Sequence, residues 1–307
     1  MDLQRIYEVK TATIANFGAL WLANHEALKP KIASSPGVAP LFGRFTDVPA
    51  VIVGAGPSLD KNRMWLHAAQ GKAVIIAVDT IFKSLADEGI APTFTVTLDP
   101  QPDVARFFAG ASTAKKILVV PSIAHPATIE AWKGETVFYN KFAPDIPVLT
   151  EIARMNQRLG YLIPGGSVLT VGLDLAFRLG CPRIAFIGQD LSFPHGGAAY
   201  AGDTIYEDIS AQDALASSVD AVVEERDIFG RPVRTRKSFS VSKQWMEWAF
   251  VNLKRDQPPA EFYNCSESGI VTRHCHIASF SEWVARYCVD RKNIDWSVKK
   301  AFSRGKR

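Results

Sequence analysis

Short apolar runs rich in β-branched residues recur along the chain from Pro49 onward, and they constrain its fold more than any other feature. Longer mixed segments, suited to helices, separate them. The runs are Ala50–Val53, Ala73–Val78, Thr93–Leu98, Ile117–Val120, Thr136–Tyr139 and Arg183–Ile187. Runs that are apolar on both faces are typical of parallel strands buried under helices. The pattern predicts an α/β fold with a doubly wound, mainly parallel, Rossmann-like sheet.

Helices are predicted between, before and after these strands. The predicted ranges are Leu59–Gln70, Ile81–Glu88, Val104–Phe108, Val148–Leu159 and Val168–Leu179 within the sheet region, and Val241–Lys254 and Phe280–Val289 after it, with a short strand at Glu261–Tyr263. At the N-terminus, apolar residues at helical spacing predict an amphipathic helix over Leu3–Leu28. We expect this helix to end before Pro30, because proline lacks the N–H that a helix interior requires.

These elements suggest a division of the chain into three parts. Residues 1–48 are predicted to be an N-terminal helix and linker that pack on the core, and residues 49–290 a Rossmann-like catalytic domain. Within that domain, residues 188–240 are rich in Gly, Asp, Ser and Ala and are predicted to form a lid with a short helix near Ala211–Val223. Residues 291–307 are predicted to be a frayed, basic C-terminal tail.

Composition excludes several classes of protein. The net charge of +4, from 35 basic and 31 acidic residues, is too small to indicate nucleic-acid binding. No apolar run approaches the roughly 20 residues needed to span a bilayer, and no signal-peptide pattern is present. The four cysteines form no CxxC pair, which fits a reducing compartment. We therefore expect a soluble, cytoplasmic protein without a transmembrane segment or a nucleic-acid partner.

The first candidate site is a glycine turn between a strand and a predicted helix. Gly54, Gly56, Pro57 and Ser58 follow the apolar run that ends at Val53. Glycines let a ligand approach the backbone closely, and a helix N-terminus attracts phosphate. A simple tight turn is the alternative. The context predicts that this turn binds a phosphate-bearing nucleotide.

Acidic residues follow three of the predicted strands. Asp79, Asp99 and Asp190 each stand where the carboxyl edge of the sheet should lie. Carboxylates there could hold ribose hydroxyls, a base edge or a metal-bound diphosphate. The alternative for Asp79 and Asp99 is helix capping. Their shared position favours one common ligand site.

Two further segments supply candidate residues. Gly166 and Ser167 open the helix predicted from Val168 and could offer N–H groups and a hydroxyl to a ligand, although a structural cap is equally compatible with the pattern. His195 lies in the predicted lid and could act as an acid or base when the lid closes. A solvated loop histidine is the alternative.

Six motifs in the same order identify the chain, from roughly residue 16 to 278, as resembling one family. They are Gly-Ala-Gly-Pro-Ser-Leu-Asp at 54–60, Thr-Leu-Asp-Pro-Gln at 97–101, Gly-Gly-Ser-Val at 165–168, Leu-Gly-Cys at 179–181, Ile-Gly-Gln-Asp-Leu-Ser-Phe at 187–193 and Tyr-Asn-Cys-Ser-Glu-Ser-Gly at 263–269. The family is that of the motility accessory factor (Maf) flagellin glycosyltransferases, which share a domain with 6-hydroxymethylpterin pyrophosphokinases.

The same motifs are distantly similar to bacterial CMP-sialic acid sialyltransferases, and this resemblance implies roles for several residues. It implies that Gly54, Gly56 and Ser58 face the nucleotide phosphate and ribose, that Ser167 contacts the donor sugar or phosphate, and that Tyr200 hydrogen-bonds the leaving phosphate. Asp79 and Asp99 match asparagines beside the ligand, and Phe193 replaces a second tyrosine. We add Gln189 to the ligand-binding residues.

One position departs from the sialyltransferase pattern. Val241 stands where those enzymes have a catalytic histidine before a Ser-Lys pair. Asp190, His195 and Glu207 are the candidate replacements for that base, and we place Asp190, His195 and Tyr200 in the predicted catalytic set.

The resemblance implies a glycosyltransferase that moves a nonulosonic acid from a CMP-linked donor to a hydroxyl of flagellin or a surface glycan. It implies no required cofactor and no metal. Two alternatives remain open. One is a 6-hydroxymethylpterin diphosphokinase that uses Mg-ATP, with the three strand-end aspartates as Mg²⁺ ligands. The other is a nucleotide-binding accessory protein without catalysis.

Overall fold

Eleven strands are present in the computed structural model, which describes residues 3–218, 220–253 and 260–304. In chain order they are β1 (Ala50–Val53), β2 (Val74–Val78), β3 (Phe94–Val96), β4 (Ile117–Pro121), β5 (Glu135–Lys141), β6 (Tyr161–Leu162), β7 (Arg183–Ile187), β8 (Val222–Arg226), β9 (Pro232–Arg236), β10 (Glu261–Asn264) and β11 (His276–Ile277). Nine of them form one sheet, and β8 and β9 form a separate antiparallel hairpin.

The nine-stranded sheet has the order β11-β10-β7-β1-β2-β3-β4-β5-β6, and its strand pairs are parallel. The chain builds outward from β1 to β6 and then returns to place β7 on the other side of β1. The predicted doubly wound parallel sheet is confirmed. In such sheets ligands bind beyond the carboxyl ends of the strands where the winding reverses, here between β1 and β7.

Ten α-helices accompany the strands within the described ranges. They are α1 (Leu3–Ser34), α2 (Leu66–Ala69), α3 (Asp79–Asp87), α4 (Pro126–Ala131), α5 (Pro147–Met155), α6 (Val168–Leu179), α7 (Ala211–Ala216), α8 (Lys237–Leu253), α9 (Phe280–Tyr287) and α10 (Ile294–Arg304). The apolar helix α6 lies across the centre of the sheet, where its Gly172 packs against Ile52 and Ile76. In the part of the chain that is described, no helix is both long and apolar enough to cross a membrane.

Helix α1 continues through Pro30, so the predicted end before this proline is wrong. Leu28 and Ile32 are buried in an apolar cluster on the sheet. The Arg158 guanidinium donates to the carbonyl oxygens of Ile32 and Ser35, which satisfies the end of the helix. Burial and these hydrogen bonds offset the one backbone bond that the proline removes.

The segment after the glycine turn is not the predicted helix Leu59–Gln70. It forms two short 3₁₀ turns, Pro57–Lys61 and Arg63–Trp65, before α2. The Asn62 amide donates to Cys265 O at 3.0 Å, which ties this segment to the loop after β10. A contact more than 200 residues away in sequence therefore overrides the local helical preference.

The predicted lid and tail contain more structure than expected. Residues 222–236 form the β8–β9 hairpin, and α8 begins at Lys237, so Val241 lies inside a helix. The predicted frayed tail is wrong for residues 294–304, because α10 buries Ile294, Val298 and Ala301 against the core. Val219, the predicted helix end at Lys254 and the last three residues of the tail lie outside the described ranges.

Candidate functional site

Two glycines cross in close backbone contact at the point where the winding of the sheet reverses. Gly54 follows β1 and begins the glycine turn, and Gly188, with a φ of +63°, follows β7. A Cβ on Gly54 would stand 2.5 Å from Gly188 O, and a Cβ on Gly188 would stand 2.5 Å from Gly54 O. Neither side chain could be larger than hydrogen without moving the backbone.

The N–H groups of the glycine turn are used by the protein itself. Gly54 N donates to Ile187 O at 2.9 Å, and Gly56 N donates to Gly188 O at 2.8 Å. The next turn is held by Asp190, whose Oδ2 accepts from Ser58 N at 3.1 Å. The N–H groups of Gly54 and Gly56 are therefore not free to bind a phosphate, and the prediction that these glycines let a ligand approach closely stays a prediction. These glycines are required by the crossing of two loops.

Most of the predicted ligand-binding residues nevertheless line one cavity, which we call the turn pocket. It has a volume of about 140 Å³. Gly54, Gly56, Pro57, Ser167, Gln189, Asp190 and Tyr200 all line it. Residues from the β1 turn, the start of α6 and the loop after β7 are thus brought together, although they are far apart in sequence.

Ser167, at the start of α6, lines this pocket with a hydroxyl that has no hydrogen-bond partner among the described residues. Ser167 is the N-cap residue but makes no capping hydrogen bond, and Thr170 Oγ1 instead bonds Ser167 O and Gly165 N. The alternative that the Ser167 side chain is a structural cap therefore does not hold, and its contact with a ligand stays a prediction. Gly166 adopts a φ of +97°, and a Cβ there would stand 2.9 Å from Ser242 Oγ. This glycine lets α8 approach the helix start.

Buried oxygens without hydrogen-bond partners concentrate at the carboxyl edge of the sheet. Of twelve such polar side-chain atoms in the described residues, six lie here: Ser58 Oγ, Asp79 Oδ2, Thr97 Oγ1, Ser167 Oγ, Asp190 Oδ1 and Ser242 Oγ. Leaving a buried polar group unpaired costs free energy, so native proteins rarely do it without a reason. These oxygens are therefore candidates for binding a polar ligand at this edge.

Burial shifts the pKa of both deeply placed aspartates. The pKa of Asp190 is raised by burial, and the hydrogen bond from Ser58 N, the nearby Ser58 and Ser268 hydroxyls and the charge of Lys61 oppose the rise. Burial also raises the pKa of Asp79 to about 7. Thr97 lies close enough to lower the Asp79 pKa slightly, but Thr97 Oγ1 and Asp79 Oδ2 form no hydrogen bond of ordinary geometry.

Asp79 and Asp99 share a small charged cluster with Lys141, which we did not predict from the sequence. Burial raises the pKa of Asp99, Lys141 opposes that rise, and burial lowers the pKa of Lys141. The Asp99 residue also reaches solvent, so burial raises its pKa less than that of the fully buried Asp79. Lys141 ends β5, and the strand-end argument that found the aspartates would also have found it.

The three predicted aspartates do not converge. Asp190 is turned toward Ser58, whereas Asp79 accepts from Thr80 N at 2.8 Å and interacts with Asp99. In the chain as described, no group of three or more His, Cys, Asp or Glu side chains is placed to hold a metal ion. A Mg²⁺ site shared by all three aspartates, as the diphosphokinase alternative requires, does not fit this arrangement.

We expect Asp79→Asn to stabilise the protein at neutral pH and not in acid. The native carboxyl has a pKa of about 7 against an ordinary value of 3.8, so the native state holds the proton more tightly than the unfolded chain. Stability therefore falls as pH rises from about 4 to 7. Asparagine keeps the oxygen that accepts from Thr80 N. The variant should gain about 1–2 kcal/mol above pH 7, measured by urea unfolding.

The control for this experiment is Asp208→Asn, which changes an exposed carboxylate in the same fold. Its unfolding free energy should follow that of the parent protein across the pH range. A constant difference between Asp79→Asn and the parent from pH 4.5 to pH 8 would contradict the assignment, because a difference independent of pH cannot come from titration of this carboxyl.

A larger cavity of about 590 Å³ adjoins the turn pocket, and we call it the hairpin chamber. It lies between the β1 turn and the β8–β9 hairpin. Its lining includes Pro57, Ser58, Asp190 and His195 from the prediction, and it adds Lys61, Asp227, Arg231 and Ser268, which we had not predicted. The β8–β9 hairpin, whose turn carries Asp227 and Arg231, has no clear apolar alternation in the sequence. No local signal therefore identified these two residues as part of a site.

The remaining candidates for the base differ in their access to these cavities. His195 is exposed, lines the chamber, and has its Nε2 3.3 Å from Pro232 O. Glu207 is exposed and accepts from Asp203 N at 2.7 Å, and it lines neither cavity. Val241 is buried in α8. Asp190 alone among the three candidates lines both cavities.

The segment that carries Tyr200 is fastened to the β1 turn. Ala201 N donates to Ala55 O at 2.9 Å, and Gly202 N donates to the Asp60 carboxylate at 3.1 Å. Arg63 bridges Asp60 and Asp203 at 3.3 and 3.1 Å. This network holds Tyr200 over the turn pocket, where it packs 5.0 Å from the Tyr206 ring.

Comparisons with known proteins agree with this architecture. The structure of the MAf glycosyltransferase from Magnetospirillum magneticum AMB-1 superposes with a TM-score of 0.60 at 20% identity, over 88% of this chain and 37% of that one. Two proteins of Treponema pallidum (strain Nichols), both named uncharacterized, match at 31% identity over 93 residues and 29% over 153 residues. The chain spans 40% and 26% of the length of these relatives.

A family model described as "6-hydroxymethylpterin diphosphokinase MptE-like" matches residues 24–196, which include β1 through β7, the glycine crossing and Asp190. The match covers more than half of the chain. The structural match to the Maf protein agrees with it in fold and extends beyond it to most of the chain. The chain therefore belongs to the 6-hydroxymethylpterin diphosphokinase MptE-like family, and it shares its fold with the Maf glycosyltransferase.

Proposed function

We propose that this protein is a nucleotide-sugar glycosyltransferase of the Maf type. The donor is a CMP-linked nonulosonic acid, and the acceptor is a hydroxyl of flagellin or a surface glycan. One observation carries the proposal: six buried oxygens without ordinary hydrogen bonds lie along the carboxyl edge of the sheet, and those of Ser58, Ser167 and Asp190 belong to residues that line the turn pocket or the hairpin chamber. A ligand rich in hydroxyl and phosphate groups, such as a nucleotide sugar, can pair with these three.

The turn pocket is the proposed place of the donor phosphate. The first-turn N–H groups of α6 lack partners inside the helix and lie at its positive dipole end. Ser167 adds a free hydroxyl there, and Tyr200 lines the same pocket. Together they would stabilise the negative charge on CMP as it leaves, without requiring a metal.

Asp190 is the proposed base. The acceptor hydroxyl oxygen forms a bond to the anomeric carbon of the donor, and the bond from that carbon to the phosphate oxygen breaks. CMP leaves with the electron pair, and the hydroxyl proton passes to Asp190 Oδ1. Three features support this role: Asp190 Oδ1 is buried, it forms no hydrogen bond of ordinary geometry within the described residues although the Ser58 and Ser268 hydroxyls lie near the carboxyl, and the pKa of this carboxyl is raised by burial.

A thermal-shift panel tests the nature of the donor. It compares CMP, UDP and GDP without metal, ATP with and without Mg²⁺, and a hydroxymethyl pterin. A nucleotide at about a hundred times its dissociation constant should add about 2.7 kcal/mol of stability. We expect CMP without metal to stabilise the protein most. Ser167→Ala, which removes the unpartnered hydroxyl from the turn pocket, provides a comparison that should respond less.

The family description gives one alternative a specific basis. The matching model carries the name of a diphosphokinase, so Mg-ATP is the competing ligand. Stabilisation by Mg-ATP alone, increased by the pterin, would replace the glycosyltransferase proposal with that activity. Binding of CMP without transfer to any acceptor would favour the accessory-protein alternative.

A further inference from the structure

The backbone next to Asp190 is held in a conformation that its residue type disfavours. Leu191, the following residue, has a φ of +48°, in the left-handed region that residues with a Cβ rarely adopt. Five residues other than glycine have a positive φ within the described ranges, and Leu191 is the buried one among them, whereas Lys115, Asp203, Glu267 and His274 are exposed. Such strain persists only where the surrounding structure holds it, and it concentrates at functional sites.

The loop after β10 fixes the backbone up to Asp190. The Ser266 hydroxyl accepts from Gln189 N at 3.0 Å, and Ile270 N donates to Asp190 O at 3.1 Å. Gly269 passes so close that a Cβ on it would stand 2.6 Å from Asp190 O and 2.7 Å from Asp190 Cα. A segment that lies 77 residues further along the chain therefore sets where the main chain of Asp190 lies.

Strand β9 fixes the backbone after Asp190. Thr235 Oγ1 donates to Leu191 O at 2.5 Å, and Phe193 N donates to Arg234 O at 3.0 Å. The Thr235 side chain is fully buried, and Thr235 lines neither the turn pocket nor the hairpin chamber. Its hydroxyl therefore acts on the peptide group that follows Leu191 and not on a ligand.

We propose that Thr235 is a positioning residue for glycosyl transfer, because its hydroxyl holds the strained Leu191 backbone and thereby keeps Asp190 in place between two cavities. The inference rests on the proposed function, in which Asp190 is the base. Without the hydroxyl, the Leu191 carbonyl loses its donor, and rotation of Leu191 to an ordinary negative φ relieves the strain. That rotation moves the Asp190 carboxylate, whose Oδ2 accepts from Ser58 N at 3.1 Å.

Hydrogen exchange at Ser58 N reports the position of Asp190 without any need for activity. Thr235→Val removes the hydroxyl and keeps the branched shape of the side chain. In this variant the amide of Ser58 should exchange about tenfold faster than in the parent protein, because its acceptor on Asp190 moves away. The amide of Ile52, in the centre of β1, is measured alongside to separate this local change from a loss of overall stability.

Thr113→Val is the matched control. Thr113 is also buried, and its hydroxyl accepts from Lys133 N at 2.9 Å in the loop before β4. This substitution likewise removes one hydrogen bond between a buried threonine and the main chain. It should leave the exchange of Ser58 N relative to Ile52 N unchanged, because neither Thr113 nor Lys133 lies in the loops that hold Asp190.

The kinetic test separates turnover from binding. Thr235→Val should lower the kcat of CMP release in the presence of an acceptor by about tenfold to a hundredfold, since small displacements of a reacting group have effects of this size. The affinity for CMP should stay unchanged. Thr235→Ser keeps a hydroxyl that can donate to Leu191 O, so its kcat should remain within about threefold of the parent value.

A second substitution tests the role of backbone strain. Glycine adopts a positive φ without steric cost, so Leu191→Gly removes the strain that Thr235 holds. In the Leu191→Gly background, Thr235→Val should therefore lower kcat by about threefold or less.

The outcomes distinguish this inference from the proposed function. If Thr235→Val matches Thr113→Val in both kcat and Ser58 exchange, the positioning role is overturned and the proposed function stands. An equal loss of kcat in the parent and Leu191→Gly backgrounds also overturns it, because strain at Leu191 is then not what Thr235 holds. If the parent protein transfers no sugar, the proposed function is refuted, and the exchange of Ser58 N still decides whether Thr235 positions Asp190.

Discussion

Asp190→Asn should lower the turnover of glycosyl transfer by about 10²–10⁴-fold and leave CMP affinity unchanged. Asparagine keeps an oxygen that can accept from Ser58 N, so the hydrogen bond of 3.1 Å that orders the turn survives. It cannot take a proton from the acceptor. The measurement is CMP release from a CMP-nonulosonate donor in the presence of an acceptor, with CMP binding determined separately by calorimetry.

The pH profile of the same reaction provides a second readout. Because burial raises the Asp190 pKa, the parent enzyme should gain activity through an apparent pKa above the ordinary range of a carboxyl group. His195→Gln serves as the comparison, since His195 is the exposed alternative base in the hairpin chamber. A large loss in His195→Gln with near-normal activity in Asp190→Asn would reverse the assignment.

Gly56→Ala should destabilise the protein by about 2–3 kcal/mol. The φ of Gly56 is −71°, which alanine adopts without strain, so the cost is steric. The new Cβ would stand 2.1 Å from Asp190 Oδ2 and 2.8 Å from Gly188 O. To make room, the carboxylate must leave Ser58 N. Chemical unfolding in urea measures the loss.

Two comparisons isolate this steric clash. Gly196→Ala adds a methyl group where no atom lies within 4 Å, and it should change stability by less than about 0.5 kcal/mol. In an Asp190→Ala background, Gly56→Ala should cost about 1 kcal/mol less, because only the clash with Gly188 O remains. If the unfolding free-energy losses of Gly56→Ala and Asp190→Ala were simply additive, the Asp190 carboxylate would not contact the glycine turn as described.

The turn pocket and the hairpin chamber share the Asp190 carboxylate, and each cavity borders it from its own side. Hydrogen bonds and ion pairs of residues 201–203 with Ala55, Asp60 and Arg63 hold Tyr200 beside the turn pocket.

The sheet was predictable because its signal is local. Apolar, β-branched runs such as Val74–Val78 and Arg183–Ile187 need no distant partner to be recognised, since burial on both faces requires that composition. The family motifs were equally local, and they identified the right loops. Helix α6, with an apolar interior and Gly180 at its end, was also predicted with its observed bounds.

The elements that were missed or misassigned depend on contacts with distant segments. The hydrogen bond from Asn62 to Cys265 O holds 3₁₀ turns where a helix was predicted. The hydrogen bond from Arg158 to Ser35 O stabilises the end of α1 beyond Pro30. The β8–β9 strands alternate between exposed and partly buried residues, with weak apolar signal. Their pairing depends on cross-strand contacts that the residue pattern does not reveal.

The candidate site likewise combines features encoded by neighbouring residues with features that depend on distant contacts. The sequence by itself placed Gly54, Gly56, Ser58, Asp79 and Asp190 at the carboxyl edge of a parallel sheet, because strand ends and turns are encoded by neighbouring residues. Only the tertiary structure decided what they do there. The N–H groups of the turn donate to carbonyl oxygens at the end of β7 and just after it, and Asp190 lies between two cavities. The Ser58 and Ser167 hydroxyls form no ordinary hydrogen bond. Each of these outcomes depends on which loops cross in the folded chain.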